Sequence, residues 1–208
     1  MNPTQFKKLP ILGILRGVSL DRIEPLTRSI ISSGLKTIEI AMNTPLAAKV
    51  LRKAKKIARG RLSIGAGTVL TMKDLDKALD NGAEFIIMPT LVPDVVEHCV
   101  KKKIPVFPGA LTPQEIYNAW RSGATMVKIF PAKFLGPGYL REIKGPFKGI
   151  KLLACGGVSP HNVKSFFQSG ASAVAFGASI FKKEWIKRKE FFRIEECIKE
   201  LISKYNSL

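Results

Sequence analysis

Eight short apolar runs, separated by longer amphipathic stretches, limit the folds open to this chain more than any other feature. The runs are 11–16 (ILGILR), 37–41 (TIEIA), 62–66 (LSIGA), 84–88 (EFIIM), 104–107 (IPVF), 126–130 (MVKIF), 150–154 (IKLLA) and 173–176 (AVAF). They are rich in Ile, Val and Phe and largely lack polar alternation, as expected of parallel strands covered on both faces. Parallel neighbours need long crossovers, which usually are helices. The stretches 20–32, 46–58, 72–81, 94–102, 113–121, 160–168 and 185–205 read as those helices. Ser19, Thr71, Thr112 and Ser159 are cap candidates, with Glu115 as capping-box partner of Thr112.

A weak internal repeat fixes the same register. SGLKTIEI from Ser33, NGAEFII from Asn81, SGATMVKIF from Ser122 and SGASAVAF from Ser169 each end a helix in a polar residue plus Gly and start a strand. Glycine fits the left-handed terminus of a helix, where a Cβ costs energy. The copies lie roughly 40–50 residues apart, about two β/α units of a small barrel. The expectation is an α/β protein, a (β/α)8 TIM barrel occupying 1–208 as one domain with short loops. An open doubly wound sheet is the alternative, but no G-x-G-x-x-G opens the first helix.

Charge says less than it promises. Lys and Arg number 34 against 16 Asp and Glu, a net +18, yet 46% of residues are hydrophobic. That fraction excludes a disordered basic tail, so the charge sits on a folded body. Its lysine clusters at 53–56, 101–103 and 182–189 are dispersed along helices and helix ends. No nucleic-acid partner is therefore expected, since binding needs one continuous basic face. Cys99, Cys155 and Cys197 form no CxxC pair and read as passive thiols in a reducing cytosol. His98 and His161 stand alone, so no metal is expected. The start MNPTQFKKLP has no apolar core, and no run reaches the roughly 18–20 apolar residues of a membrane span. The expectation is a cytoplasmic protein with no membrane contact.

In such a barrel the chemistry lies at the C-terminal ends of the strands. The polar or glycine-rich positions there are Arg16, Glu39, Asn43, Thr68, Pro89, Thr90, Lys128, Cys155–Gly156–Gly157 and Gly177–Ala178–Ser179. Lys128 interrupts an apolar strand and shares a face with Met126 and Phe130. Burial disfavours the charged form of a lysine, and the neutral amine is a nucleophile able to form a Schiff base with a ketone. Glu39 interrupts another apolar strand, and a buried carboxyl beside a lysine can shuttle the protons that imine chemistry needs. A structural lysine–glutamate pair fits the same pattern. The turns GGVSP (156–160) and FGASIF (176–181) lead toward helices and suit an anion such as phosphate. Thr68, flanked by glycines that allow close approach, and Arg16 are candidates to hold a carboxylate.

With these motifs assembled, the chain resembles the class I pyruvate aldolases that cleave 2-keto-3-deoxy-6-phosphogluconate or 2-keto-3-deoxy-6-phosphogalactonate, and often 4-hydroxy-2-oxoglutarate. The similarity runs from LPILGILRG to FGASIF through IEIAMNTP, IGAGTVL, VKIFPA, FLGPGYL and CGGVSP. It implies Lys128 as the Schiff-base lysine and Glu39 as general acid/base. Arg16, Thr68, Asn43, Pro89 and Cys155 would surround the substrate carboxylate and hydroxyls, and Gly156, Gly157, Gly177, Ala178 and Ser179 the phosphate. It also implies a phosphorylated keto acid as substrate, a homotrimer, and neither metal nor cofactor. Phosphogluconate-type members usually carry arginine where this chain has Asn43. Asn43, ILRG and the stretch 130–139 are closer to the phosphogalactonate branch, whereas Cys155 matches neither branch's usual threonine or small apolar residue. The epimer preference stays open at this point, as does another phosphate-binding barrel chemistry without a Schiff base.

Overall fold

The structure, a computed structural model, describes residue 1 and residues 3–208. In chain order it runs α1 (Pro3–Lys8), β1 (Ile11–Leu15), α2 (Ile23–Ser32), β2 (Thr37–Ala41), α3 (Ala47–Ala58), β3 (Ser63–Gly67) and α4 (Met72–Asp80). Then come β4 (Ile86–Ile87), α5 (Pro93–Lys101), β5 (Val106–Phe107), β6 (Gly109–Ala110), α6 (Pro113–Arg121), β7 (Val127–Ile129) and α7 (Ala132–Lys144). The chain ends with β8 (Leu152–Cys155), α8 (Val163–Gln168), β9 (Ala173–Phe176), α9 (Lys183–Lys187) and α10 (Phe191–Asn206).

All ladders are parallel, in the order β5-β4-β3-β2-β1-β9-β8-β7-β6. The two ends of that order are consecutive in sequence, separated only by Pro108. Proline has no N–H to donate, so the ladder breaks there. Before the break, the carbonyls of Pro105 and Phe107 accept the amides of Ile86 (2.9 Å) and Met88 (3.1 Å). The carbonyls of Pro108 and Ala110 accept those of Lys128 (2.8 Å) and Phe130 (3.1 Å). Residues 105–110 are thus one barrel strand in two pieces, pairing first with β4 and then with β7. This closes the eight-stranded barrel expected from the sequence.

Pairing is uneven round the ring. β2 and β3 pair along their whole length, from Thr37–Ser63 to Ala41–Gly67, whereas β3 and β4 share the single ladder pair Ala66–Ile86, helped by the Glu84 amide donating to the Ile64 carbonyl (2.9 Å) and the Ala66 amide to that of Phe85 (3.0 Å). The barrel interior holds Leu12, Phe85, Ile87, Phe107, Leu153, Cys155, Ala173 and Ala175. Phe6 of α1 joins them, its ring 6.3 Å from that of Phe107 and edge-on to it. Gly65 on β3 carries no side chain because Phe85 fills its place: a Cβ there would lie 2.4 Å from the ring. The outward strand residues, such as Ile38, Ile40, Val127 and Ile129, pack with the helices in a separate outer core.

Thr71 and Thr112 cap α4 and α6 as expected, the latter with a complete capping box to Glu115. The glycines of the internal repeat, Gly34, Gly82, Gly123 and Gly170, all have φ between +87° and +94°. Other expectations are corrected. Ser19 does not cap α2, which starts at Ile23; its hydroxyl donates to Asp21 (2.5 Å). The terminal helix is two helices, parted at Lys189 with φ +60°. Two helices are additional: α1, and α7, which kinks at Gly136 (φ 69°, ψ 178°) ahead of Pro137. Among the described residues no helix is long and apolar enough to cross a membrane.

Candidate active site

Strand parity sets the site. Val127 and Ile129 belong to the outer core, so Lys128 between them turns into the barrel. Ile38 and Ile40 do the same for Glu39. Both charged side chains are buried, Glu39 at 1% exposure and Lys128 at 5%. Neither carboxylate oxygen of Glu39 has a hydrogen-bond partner. A buried carboxyl left so is costly, and in native proteins such groups mark a place for water or a ligand. Burial pushes its pKa up, against the opposing pull of Lys128 and then Arg16. Glu39 therefore holds its proton to higher pH than an ordinary glutamate, as suits a group that both gives and takes a proton.

Gly67 makes room for that carboxyl. A Cβ at 67 would lie 2.2 Å from Glu39 Oε1. The glycines of IGAGTVL thus also accommodate Phe85 and Glu39. Gly67→Ala should displace the Glu39 carboxyl and lower kcat at least tenfold, with a stability loss of about 1–3 kcal/mol from overpacking. Steady-state rates and denaturant midpoints on the same variant check both parts.

The lysine has two close neighbours. Lys128 Nζ lies 5.0 Å from the centroid of the Phe130 ring, and Cys155, two residues beyond its ladder partner Leu153, shares its side of the barrel. Cys155 is buried, and burial pushes its thiol pKa up, partly offset by Lys128. It is a neutral, passive group against the amine. Cys99 is equally inert, pushed up to about 11 by burial.

Arg16 lies just past β1 and is exposed, its Nη2 donating to Thr68 Oγ1 (3.1 Å). Thr68 has φ +58°. A β-branched residue pays steric strain in that left-handed region, and such strain gathers at functional sites. The two residues form one polar pair above Glu39, joining the ends of β1 and β3. Asn43 is exposed on the β2–α3 turn. Its neighbour Thr44, which the sequence reading passed over, ties that turn to the β1 loop by accepting the Gly17 amide (3.0 Å).

Pro89 sits apart from the pair. It lines a cavity of about 200 Å³ with Gly109, Leu111, Asn118 and Phe130, and its carbonyl lies where a Cβ on Gly109 would go. Neither Lys128 nor Glu39 lines that cavity.

The glycine turns lie side by side after β8 and β9. Gly156 and Gly157 have φ +106° and +76°, values that exclude most side chains. Ser179 Oγ donates to the Val158 carbonyl (2.5 Å), joining the two loops. Neither turn runs straight into a helix, contrary to expectation. Asn162 holds the first loop open, accepting the Ser159 amide and donating to the Gly157 carbonyl, both at 2.9 Å, and α8 starts only at Val163. After β9 comes a single turn closed by the Gly177 carbonyl. Among the described residues no protein acceptor takes the amides of Gly157, Ala178 or Ser179. The amides left free at these turns are therefore loop amides and not those of a helix N-terminus. No group of three or more His, Cys, Asp or Glu side chains that could hold a metal occurs among the described residues.

Comparison with known proteins fits this arrangement. The family described as KDPG and KHG aldolase (2-keto-3-deoxy-6-phosphogluconate and 4-hydroxy-2-oxoglutarate aldolase) matches residues 3–197. A relative from Rhizobium meliloti, named probable 2-dehydro-3-deoxy-6-phosphogalactonate aldolase, is 33% identical over 174 residues, 83% of this chain and 82% of its own. A solved structure described as native KDPGal superposes with a TM-score of 0.89 at 27% identity, covering 96% of both chains. KDPG aldolase from Legionella pneumophila, solved with pyruvate captured as a covalent carbinolamine, gives 0.85 at 26% identity over 92% of this chain and 93% of that one.

Proposed function

The chain belongs to the KDPG and KHG aldolase family, and from that premise we propose that it is a Schiff-base lyase releasing pyruvate and glyceraldehyde 3-phosphate from a 2-keto-3-deoxy-6-phospho sugar acid. The observation that carries the reading is the buried pair: a lysine and a glutamic acid inside one barrel mouth, the acid with both oxygens unpartnered. In the reaction, the neutral amine of Lys128 attacks the C2 ketone. Glu39 delivers the proton that lets water leave, giving a protonated imine. Glu39, now a carboxylate, takes the C4 hydroxyl proton, the C3–C4 bond breaks, and its electron pair flows into the imine to form an enamine. Glyceraldehyde 3-phosphate departs. Glu39 returns the proton to C3 of the enamine, and hydrolysis then gives back pyruvate and free lysine. Side chains supply every group this sequence calls on.

Arg16 and Thr68 hold the substrate carboxylate, with Asn43 and Cys155 near its hydroxyls and Pro89 at the outer edge. The amides of Gly156, Gly157, Gly177, Ala178 and Ser179 receive the phosphate. The thiols of Cys99, Cys155 and Cys197, all unpaired, suit a reducing cytoplasm. Exposed Leu111, Phe130, Phe134 and Leu135 support a homotrimer, which light scattering tests.

Borohydride reduction in the presence of pyruvate tests the chemistry. The expected product is one reduced pyruvyl group on Lys128, located by peptide mass mapping. An unmodified Lys128 sinks the mechanism. Asn43 in place of arginine favours the galactonate epimer. Initial rates of pyruvate release should be at least about tenfold higher with it than with the gluconate epimer, since one or two hydrogen bonds separate the two. Equal rates would remove Asn43 from that role.

A further inference from the structure

Resting on this reading, we propose that Lys133 supplies the positive charge that pairs with the substrate phosphate and so makes the enzyme select phosphorylated acids. The phosphate loops as described hold only neutral donors: glycine amides, Ala178 and the Ser179 hydroxyl. A phosphate dianion there has no counter-charge of its own.

Lys133 is the second residue of α7, five positions after Lys128. Its backbone lies directly against the first glycine loop: a Cβ on Gly157 would meet Lys133 Cβ at 2.7 Å and Cα at 3.5 Å. Gly156 is as close to the start of the same helix, with the Ala132 amide nitrogen 3.5 Å from where its Cβ would be. The side chain is exposed. Among the described residues it has no carboxylate partner, and its ammonium rests over the Phe134 ring at 4.6 Å.

A second, independent observation points the same way. The first turn of a helix favours acidic side chains, because the free amides there already carry partial positive charge. The first turn of α7 contains no acidic residue and places Lys133 there. Lys133 thus adds its charge beside amides that already carry partial positive charge, which suits an anion. Of the other cations near the mouth, neither has its backbone against the first glycine loop as Lys133 does. Arg16 donates to Thr68, and Lys182 lies over the Trp185 ring at 4.2 Å, on the side of Cys197.

The test compares 2-keto-3-deoxy-6-phosphogalactonate with its unphosphorylated counterpart in the intact enzyme and in Lys133→Ala, Lys133→Arg and Lys133→Glu. One charge-assisted contact predicts a fall of about 10- to 100-fold in kcat/KM for the phosphorylated acid in Lys133→Ala, carried mainly by KM. The unphosphorylated acid should change less than about twofold, Arg should restore most of the loss, and Glu should deepen it. A phosphorylated KM within twofold of the parent, or an equal loss on both substrates, overturns the proposal. Calorimetric titration with glycerol 3-phosphate decides it without turnover: binding should weaken about tenfold or more in Lys133→Ala. A parent protein that binds this probe through Lys133 yet cleaves no phosphorylated acid would fault the reaction assigned above and not Lys133.

Discussion

Lys128→Ala should lower pyruvate release by at least about 10⁴-fold, equivalent to roughly 5 kcal/mol of transition-state stabilisation. The reason is that among the described residues no other lysine is buried with Glu39, so the covalent route closes and only substrate binding remains. Borohydride with pyruvate should then leave the protein unmodified. Alanine also opens a cavity, so Lys128→Met is the cleaner companion: it keeps most of the volume and should be equally inactive with a folded circular dichroism spectrum. Residual activity above about one part in a hundred in both variants would remove Lys128 from the reaction.

Glu39→Gln should give the second large effect, in two opposite directions. Loss of the proton shuttle predicts a fall in kcat of about 10²–10⁴-fold. The pyruvyl adduct should still form on Lys128, only slowly, which separates this variant from the first. Stability should rise. The folded-state pKa of Glu39 is raised by burial above the ordinary 4.5. At pH well below that ordinary value both folded and unfolded chains hold the proton, and the group contributes no pH-dependent penalty. As pH climbs toward the raised value, the unfolded chain releases its proton while the folded chain keeps it, and stability drains away. Above the raised value the penalty is constant. Glutamine escapes it, so the variant's advantage should open with rising pH. Glutamine leaves a polar group buried there too, so only this pH-dependent part is recovered, and each kcal/mol of it shifts the melting temperature of a chain this size by about 2–4 °C. Melting curves at pH 4 and pH 8 check this. A variant that melts below the parent at pH 8, or an advantage that does not grow between the two, contradicts it.

The charged residues inside apolar strands were the most legible part of the site. Lys128 in MVKIF and Glu39 in TIEIA break a strong pattern, and a period of two decides which way each side chain points. The barrel was legible because eight parallel strands cannot be joined without crossovers, and both textures alternate plainly in the sequence. Several features had no local signature. Gly65 and Gly67 read only as glycines that allow close approach beside Thr68, until Phe85 and Glu39 are seen to occupy the space their side chains would take. The kink of α7 hides its helix, because Gly136 and Pro137 interrupt the period that would reveal it. α1 is too short to show a period at all. The β8 loop looked like a helix start, but Asn162 diverts it, and that bond depends on the three-dimensional course of the loop. Lys133 is a different case: its position in a first turn contradicts helix electrostatics, but α7 had to be seen first.

The strand divided at Pro108 has a meaning for how this molecule fails. Everything before the division contributes Arg16, Glu39 and Thr68; everything after it contributes Lys128, Cys155 and the glycine loops. Each portion carries half a reaction. Parting the few main-chain bonds that join 105–110 to its neighbours would leave nearly every helix and strand intact, and the far-ultraviolet spectrum with them. It would also draw the amine away from its acid. Catalytic activity in this barrel is therefore a measure of ring closure, and under mild denaturation it should vanish ahead of secondary structure.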